Sequence, residues 1–136
     1  MKSLLLTLGL ILSTTLAYSQ SKTFQLSSHI LDISKGMPAT GVTIRLEMLD
    51  TNKKTWSVIE EKVTDANGRI SDFLSSEKSN NEGIYKLTYL TADYFMSQKI
   101  ESFYPFIEVV FEIKDSKHYH VPITLSAYGY STYRRN

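Results

Sequence analysis

The sequence predicts an all-β fold, an antiparallel sandwich of about seven to eight short strands with one short helix. Three observations carry this. Turn-forming clusters recur about every 8–12 residues, and between them apolar and polar side chains alternate at the period of a half-buried strand. Only Thr91 to Lys99 has the composition of a helix, and it is two turns at most.

The first strand is Phe24 to Asp32, with Phe24, Leu26 and Ile30 on one face and Gln25, Ser27, His29 and Leu31 on the other. Lys35-Gly36-Met37-Pro38 then turns the chain. Val42 to Leu49 alternates cleanly, its Val42, Ile44, Leu46 and Met48 directed inward. Trp56 to Thr64 is the next strand, closed by Asp65-Ala66-Asn67-Gly68-Arg69, whose Asn-Gly step suits positive φ. A short strand starts at Arg69, the polar segment Ser75 to Gly83 is a loop, and Gly83 to Tyr89 is again a strand. Thr91 is the expected N-cap of the helix, with Asp93 favouring its positive end. Phe103, Tyr104, Phe106 and Phe111 read as core and edge packing around Pro105. Phe106 to Ile113 and His118 to Ser126 complete the strands, and Ala127 to Asn136 is a tyrosine-rich tail.

Composition narrows the function. With 136 residues the chain holds one domain, and 15 Lys+Arg against 14 Asp+Glu leave no basic excess for nucleic acid. The absence of Cys removes disulfides, thiolate zinc sites and cysteine nucleophiles together. Residues 1–19 have the pattern of a secretory signal: Lys2, an apolar run from Leu4 to Leu12, and small residues around Ala17-Tyr18-Ser19. That run is far shorter than the roughly 20 residues of a membrane span. The reading is therefore a signal peptide at 1–19 and one domain at 20–136, periplasmic or secreted, with no membrane or nucleic-acid partner. Losing Lys2 leaves equal numbers of basic and acidic residues. So small an exported domain without disulfides is expected to gain stability by oligomerising.

No phosphate loop, G-x-S-x-G or H-E-x-x-H pattern is present, which leaves histidine and arginine as carriers of chemistry. His118 and His120 are two apart on a strand, so they share a face. That spacing suits solvated surface rings, a metal site completed by His29, or a general base with a neighbour that orients it. Arg69, just past a tight turn, is either solvated or a fixed cation for a planar anion. Tyr133-Arg134-Arg135 reads by itself as a frayed basic end.

Taken together, Ser28-His29-Ile30-Leu31-Asp32 with Gly36-Met37-Pro38-Ala39, Thr64-Asp65-Ala66-Asn67-Gly68-Arg69, Glu101-Ser102-Phe103-Tyr104-Pro105, His118-Tyr119-His120-Val121-Pro122 and Tyr130-Ser131-Thr132-Tyr133-Arg134 follow a familiar order. The chain from Phe24 to Arg134 resembles the transthyretin-like family, and within it the 5-hydroxyisourate hydrolase branch. The resemblance implies a homotetramer with active sites in a channel at the dimer–dimer interface, working without a cofactor. It implies catalytic roles for His29, Arg69 and His120 and substrate binding by Tyr133 and Arg134, with His118 flanking. The carrier branch, a non-catalytic small-molecule binding protein, is the alternative. The family's terminal Gly-Ser is replaced by Arg135-Asn136, a change expected to strain or displace the tail; a shift of about 1 Å costs ~10²-fold in rate. Restoring Gly and Ser is thus expected to raise activity or leave it unchanged.

Overall fold

The computed structural model describes residues 23–77 and 80–135. The signal-peptide reading of residues 1–19 and the terminal Asn136 lie outside the described residues. Within them the chain forms β1 (Phe24–Asp32), β2 (Met37–Pro38), β3 (Thr43–Asp50), β4 (Thr55–Val63), β5 (Arg69–Ser75), β6 (Gly83–Leu90), α1 (Ala92–Met96), β7 (Ile107–Ile113), β8 (Tyr119–Ser126) and β9 (Gly129–Thr132). One sheet has the order β2-β1-β8-β9, with β5 also paired to β1, and the other the order β4-β3-β6-β7. The all-β sandwich read from the sequence is the fold observed. It departs from an all-antiparallel design at one place, where β1 and β8 run parallel from Leu26↔Tyr119 to Asp32↔Leu125.

The alternation that marks each strand also builds the core. Leu26 and Ile30 of β1, Ile44 and Leu46 of β3, Leu87 and Tyr89 of β6, and Ile123 and Leu125 of β8 are all buried between the sheets. Fully burying one such side chain is worth about 1.5–3 kcal/mol. β4 stays mostly exposed, and its Glu60, Glu61 and Lys62 blunt a free sheet edge. The Lys62 ammonium lies 2.9 Å from the Asp72 carboxylate of β5, tying the two sheets at that side.

Several local expectations give way to tertiary structure. Thr91 precedes α1 but caps nothing with its side chain, because its backbone is already in the helical region (φ −87°, ψ −11°) and its hydroxyl is buried. Gln25, read as outward, is buried, its amide donating to the carbonyls of Asp115 and Lys117. Phe103 is 71% exposed and Phe106 also lies open, so only Tyr104 and Phe111 of that aromatic group pack on the core. The tail is not frayed: β9 pairs antiparallel with β8, and Arg135 forms a further bridge to His120.

β1 is paired along both of its edges. One edge runs along β8, and the other is shared by β5 toward its start and β2 at its end. Ile30 sits at the handover, donating to the Gly68 carbonyl at 2.9 Å and accepting from the Ala39 amide at 3.0 Å.

Candidate active site

Two register pairs bring the polar residues together. On one side of β1, His29 is the direct cross-strand partner of Arg69 in β5; on the other, Ser27 is that of His120 in β8. Because strand side chains alternate, Ser27 and His29 share the outer face of β1, and His120 lies beside them with His118 two residues away. Inner-face residues Leu26, Ser28, Ile30 and Asp32 are buried. The face therefore follows directly from the hydrophobic pattern.

Arg69 owes its place to the turn before it. The Asp65 carboxylate accepts from the Asn67 amide at 2.8 Å and the Arg69 amide at 3.0 Å, while the Asp65 amide donates to the Arg69 carbonyl. Gly68 closes this turn at φ +69°, and a Cβ there would lie 2.7 Å from the Ile30 carbonyl oxygen. Only glycine meets both demands. Rather than making a hairpin within one sheet, this turn carries the chain from β4 in one sheet to β5 in the other.

Ser27, Arg69, His118, His120 and Arg135 line an open cavity of about 310 Å³ on the outer face of the β1–β8 sheet. His29 adjoins it through Arg69. A neighbouring groove of about 230 Å³ shares His120 and is lined also by Val109, Phe111, Tyr133 and Arg134. The Arg134 guanidinium stacks over the Tyr119 ring, 5.0 Å from its centre. The expected site residues thus fall in two adjoining places: His29, Arg69 and His120 meet across β1, whereas Tyr133 and Arg134 line the groove on the far side of His120. Sequence reasoning missed two cavity residues. Ser27 carried a signal, its shared face with His29; Arg135, read as a disturbance of the tail, is brought in by its backbone bridge to His120.

Burial holds the His120 imidazole below the ordinary histidine value of 6.5, and the Arg69 guanidinium, the neighbouring imidazoles of His29 and His118, and Arg135 push it the same way. His29 is lowered too, first by burial and then by Arg69, with Arg135 adding to it; the Asn67 backbone and the Asp65 carboxylate pull in the opposite direction. Both rings are therefore neutral at pH 7 and able to take a proton. The Arg69 guanidinium beside them supplies donors for developing negative charge.

Ser27 Oγ lies 2.7 Å from His120 Nδ1 and 2.9 Å from His118 Nε2, and His118 Nδ1 lies 3.0 Å from the Phe24 carbonyl. Both nitrogens of His118 are thus engaged by protein partners. Among the described residues no group of three His, Cys, Asp or Glu side chains is placed to hold a metal ion.

The chain is similar in sequence and in fold to known proteins. The model of the HIUase/Transthyretin family matches residues 26–135. A probable 5-hydroxyisourate hydrolase of Caenorhabditis elegans is 46% identical over 121 residues, covering 88% of this chain and 87% of that protein. Among solved structures, Klebsiella pneumoniae 5-hydroxyisourate hydrolase is 37% identical with a TM-score of 0.69, covering 85% of this chain and all of the other. Sea bream transthyretin in complex with thyroxine is 29% identical with a TM-score of 0.75, covering 82% and 94%. The backbone is thus shared by a hydrolase and a thyroxine-bound protein, so the fold alone does not choose between them.

Proposed function

The chain belongs to the HIUase/transthyretin family, and from that premise we propose that it hydrolyses 5-hydroxyisourate to 2-oxo-4-hydroxy-4-carboxy-5-ureidoimidazoline in urate breakdown. One observation carries the choice of enzyme over carrier: two histidines held neutral by burial stand beside Arg69 on one open sheet face. Binding alone does not call for proton-accepting imidazoles, whereas hydrolysis uses both a base and a cation.

His120 takes a proton from water, and the resulting hydroxide adds to a ring carbonyl of the substrate. Arg69 donates to the carbonyl oxygen as it becomes an oxyanion. Collapse of the tetrahedral carbon breaks the ring C–N bond, the departing nitrogen recovers the proton from the imidazolium, and the carbonyl carbon stays in the opened product as a carboxylic acid that gives its own proton to solvent. One water is consumed and no electrons are transferred, so the step requires neither metal nor redox cofactor. His29, paired with Arg69 across the strands, orients the guanidinium and the ring of the substrate. Tyr133 and Arg134 bind the portion of the substrate that extends into the adjoining groove.

The site lies open on a sheet face, and a partner surface would complete its walls. Exposed Tyr133 and Val110 at the groove suit such a partner. We assign the chain a homotetramer with its sites at the dimer–dimer interface, exported by way of residues 1–19 to the periplasm or beyond.

The test is to generate 5-hydroxyisourate in place by oxidising urate and to follow its ultraviolet decay. Added protein is expected to accelerate the decay, with or without a chelator. Decay at the spontaneous rate would overturn the enzymatic reading and favour a binding role; abolition by the chelator would overturn the metal-free mechanism.

A further inference from the structure

The hydrogen-bond chain behind His120 has only one consistent arrangement of protons while both rings are neutral. The Phe24 carbonyl can only accept, so His118 Nδ1, 3.0 Å away, must carry a hydrogen. A neutral imidazole has one N–H, so His118 Nε2 is a bare acceptor. Ser27 Oγ, 2.9 Å from it, must donate there. A hydroxyl has a single hydrogen, and with that committed Ser27 can only accept from His120 Nδ1 at 2.7 Å. His120 Nδ1 therefore holds the N–H, and the lone pair of the ring is left on Nε2.

We propose that Ser27 and His118 are positioning residues that fix the tautomer of His120, leaving Nε2 as its basic atom. This rests on the hydrolase reading above for its functional meaning. An imidazole in water favours the opposite tautomer, with hydrogen on Nε2 and the lone pair on Nδ1, where it would face Ser27 rather than water in the cavity. The backbone geometry supports a built arrangement: Ser27 and His120 are direct partners across the parallel β1–β8 pair, and His118, just before β8, lies within hydrogen-bond distance of the same Ser27 hydroxyl. A base whose lone pair is preset loses no rate to the fraction of molecules in the wrong tautomer.

The experiment reads the tautomer and the rate separately. Long-range nitrogen–proton NMR of the ring nitrogens, recorded near pH 8 on the protein without substrate, assigns the hydrogen of His120 to Nδ1 or Nε2. Wild type is expected to hold it on Nδ1. In Ser27→Ala it is expected to shift substantially toward Nε2, kcat to fall about tenfold with KM little changed, and Ser27→Thr, which keeps the hydroxyl, to restore both. His118→Ala frees the Ser27 hydrogen to turn toward His120 and is expected to move the tautomer in the same direction. A wild-type His120 with its hydrogen on Nε2 overturns the proposal, as does a Ser27→Ala protein with the tautomer of wild type. Because the spectra do not depend on turnover, inactivity of the wild type toward 5-hydroxyisourate would defeat the hydrolase reading and leave the tautomer result standing.

Discussion

The two faces of β1 use polar side chains in opposite ways. On the inner face Ser28 is 1% exposed, and its hydroxyl donates to the Val121 carbonyl and lies 2.8 Å from the Tyr89 hydroxyl. Asp32, also buried, accepts from the amides of Ser34 and Lys35 and from the Tyr94 hydroxyl at 2.6 Å. Burial, followed by that bond to Asp32, pushes the Tyr94 phenol up to about 12, so it stays a neutral donor. On the outer face, one residue away, Arg69 and His120 keep donating or proton-accepting capacity directed at an open cavity that Arg135 also lines, with His29 beside Arg69. A buried polar group must be satisfied by its own chain or the fold suffers. A reactive one must be left partly unsatisfied so that substrate can complete it. The lesson is that polarity and proximity do not mark a site; spare hydrogen-bonding capacity does.

This division can be broken from the side of the fold or from the side of the chemistry. Gly68→Ala is expected to do both, because its Cβ meets the Ile30 carbonyl and Gly68 lies beside Arg69. The positive φ alone costs about 1–3 kcal/mol, and displacement of Arg69 by about 1 Å is expected to lower kcat/KM ~10²-fold. Gly36→Ala, equally strained at φ +62° but with nothing near its Cβ, is expected to lose comparable stability while keeping its rate. Urea unfolding and the urate-coupled decay assay separate the two variants.

Ser28→Ala attacks the inner face alone. Removing its hydroxyl takes away the 2.8 Å bond to the Val121 carbonyl, which keeps the 3.3 Å bond from Tyr89, a loss of about 0.5–1.5 kcal/mol. The thermal midpoint should fall by several degrees while kcat of the folded protein is unchanged. A matching fall in kcat would show that the two faces are not separable.

The smallest effect expected is in pH dependence. A histidine base whose pKa is lowered is unprotonated above that value, so activity is retained at neutral pH and lost as pH falls through a midpoint below 6.5. Arg135 contributes to that lowering at both His29 and His120. In Arg135→Gly the acid limb is therefore expected to move upward toward 6.5, with activity at about pH 8 raised or unchanged. A limb that stays in place would remove Arg135 from the electrostatics of the site.

The inner face was largely legible in the sequence, since period-two alternation places Leu26, Ile30, Ile44 and Leu46 without knowledge of their neighbours. The outward direction of His29 and the shared face of His118 and His120 came from the same rule. Which strand lies beside which did not, because alternation is blind to pairing: nothing local says that β1 runs parallel to β8, yet that register alone sets Ser27 against His120. β9 escaped notice because Tyr130, Ser131 and Thr132 are all exposed and leave no buried stripe to read. Arg135 reaches the cavity only through that strand. Ser27 illustrates the limit most plainly, for its partners lie more than ninety residues away in sequence.

The most direct test of the division between the faces is the rate of 5-hydroxyisourate decay with His120→Ala, set beside wild type at equal folded concentration. The imidazole projects from the outer face and contributes no core packing, so the variant is expected to unfold at the wild-type midpoint. Its kcat should fall about 10²–10⁴-fold, the usual worth of a general base. A rate within a few-fold of wild type would contradict the assignment of this face as the catalytic one.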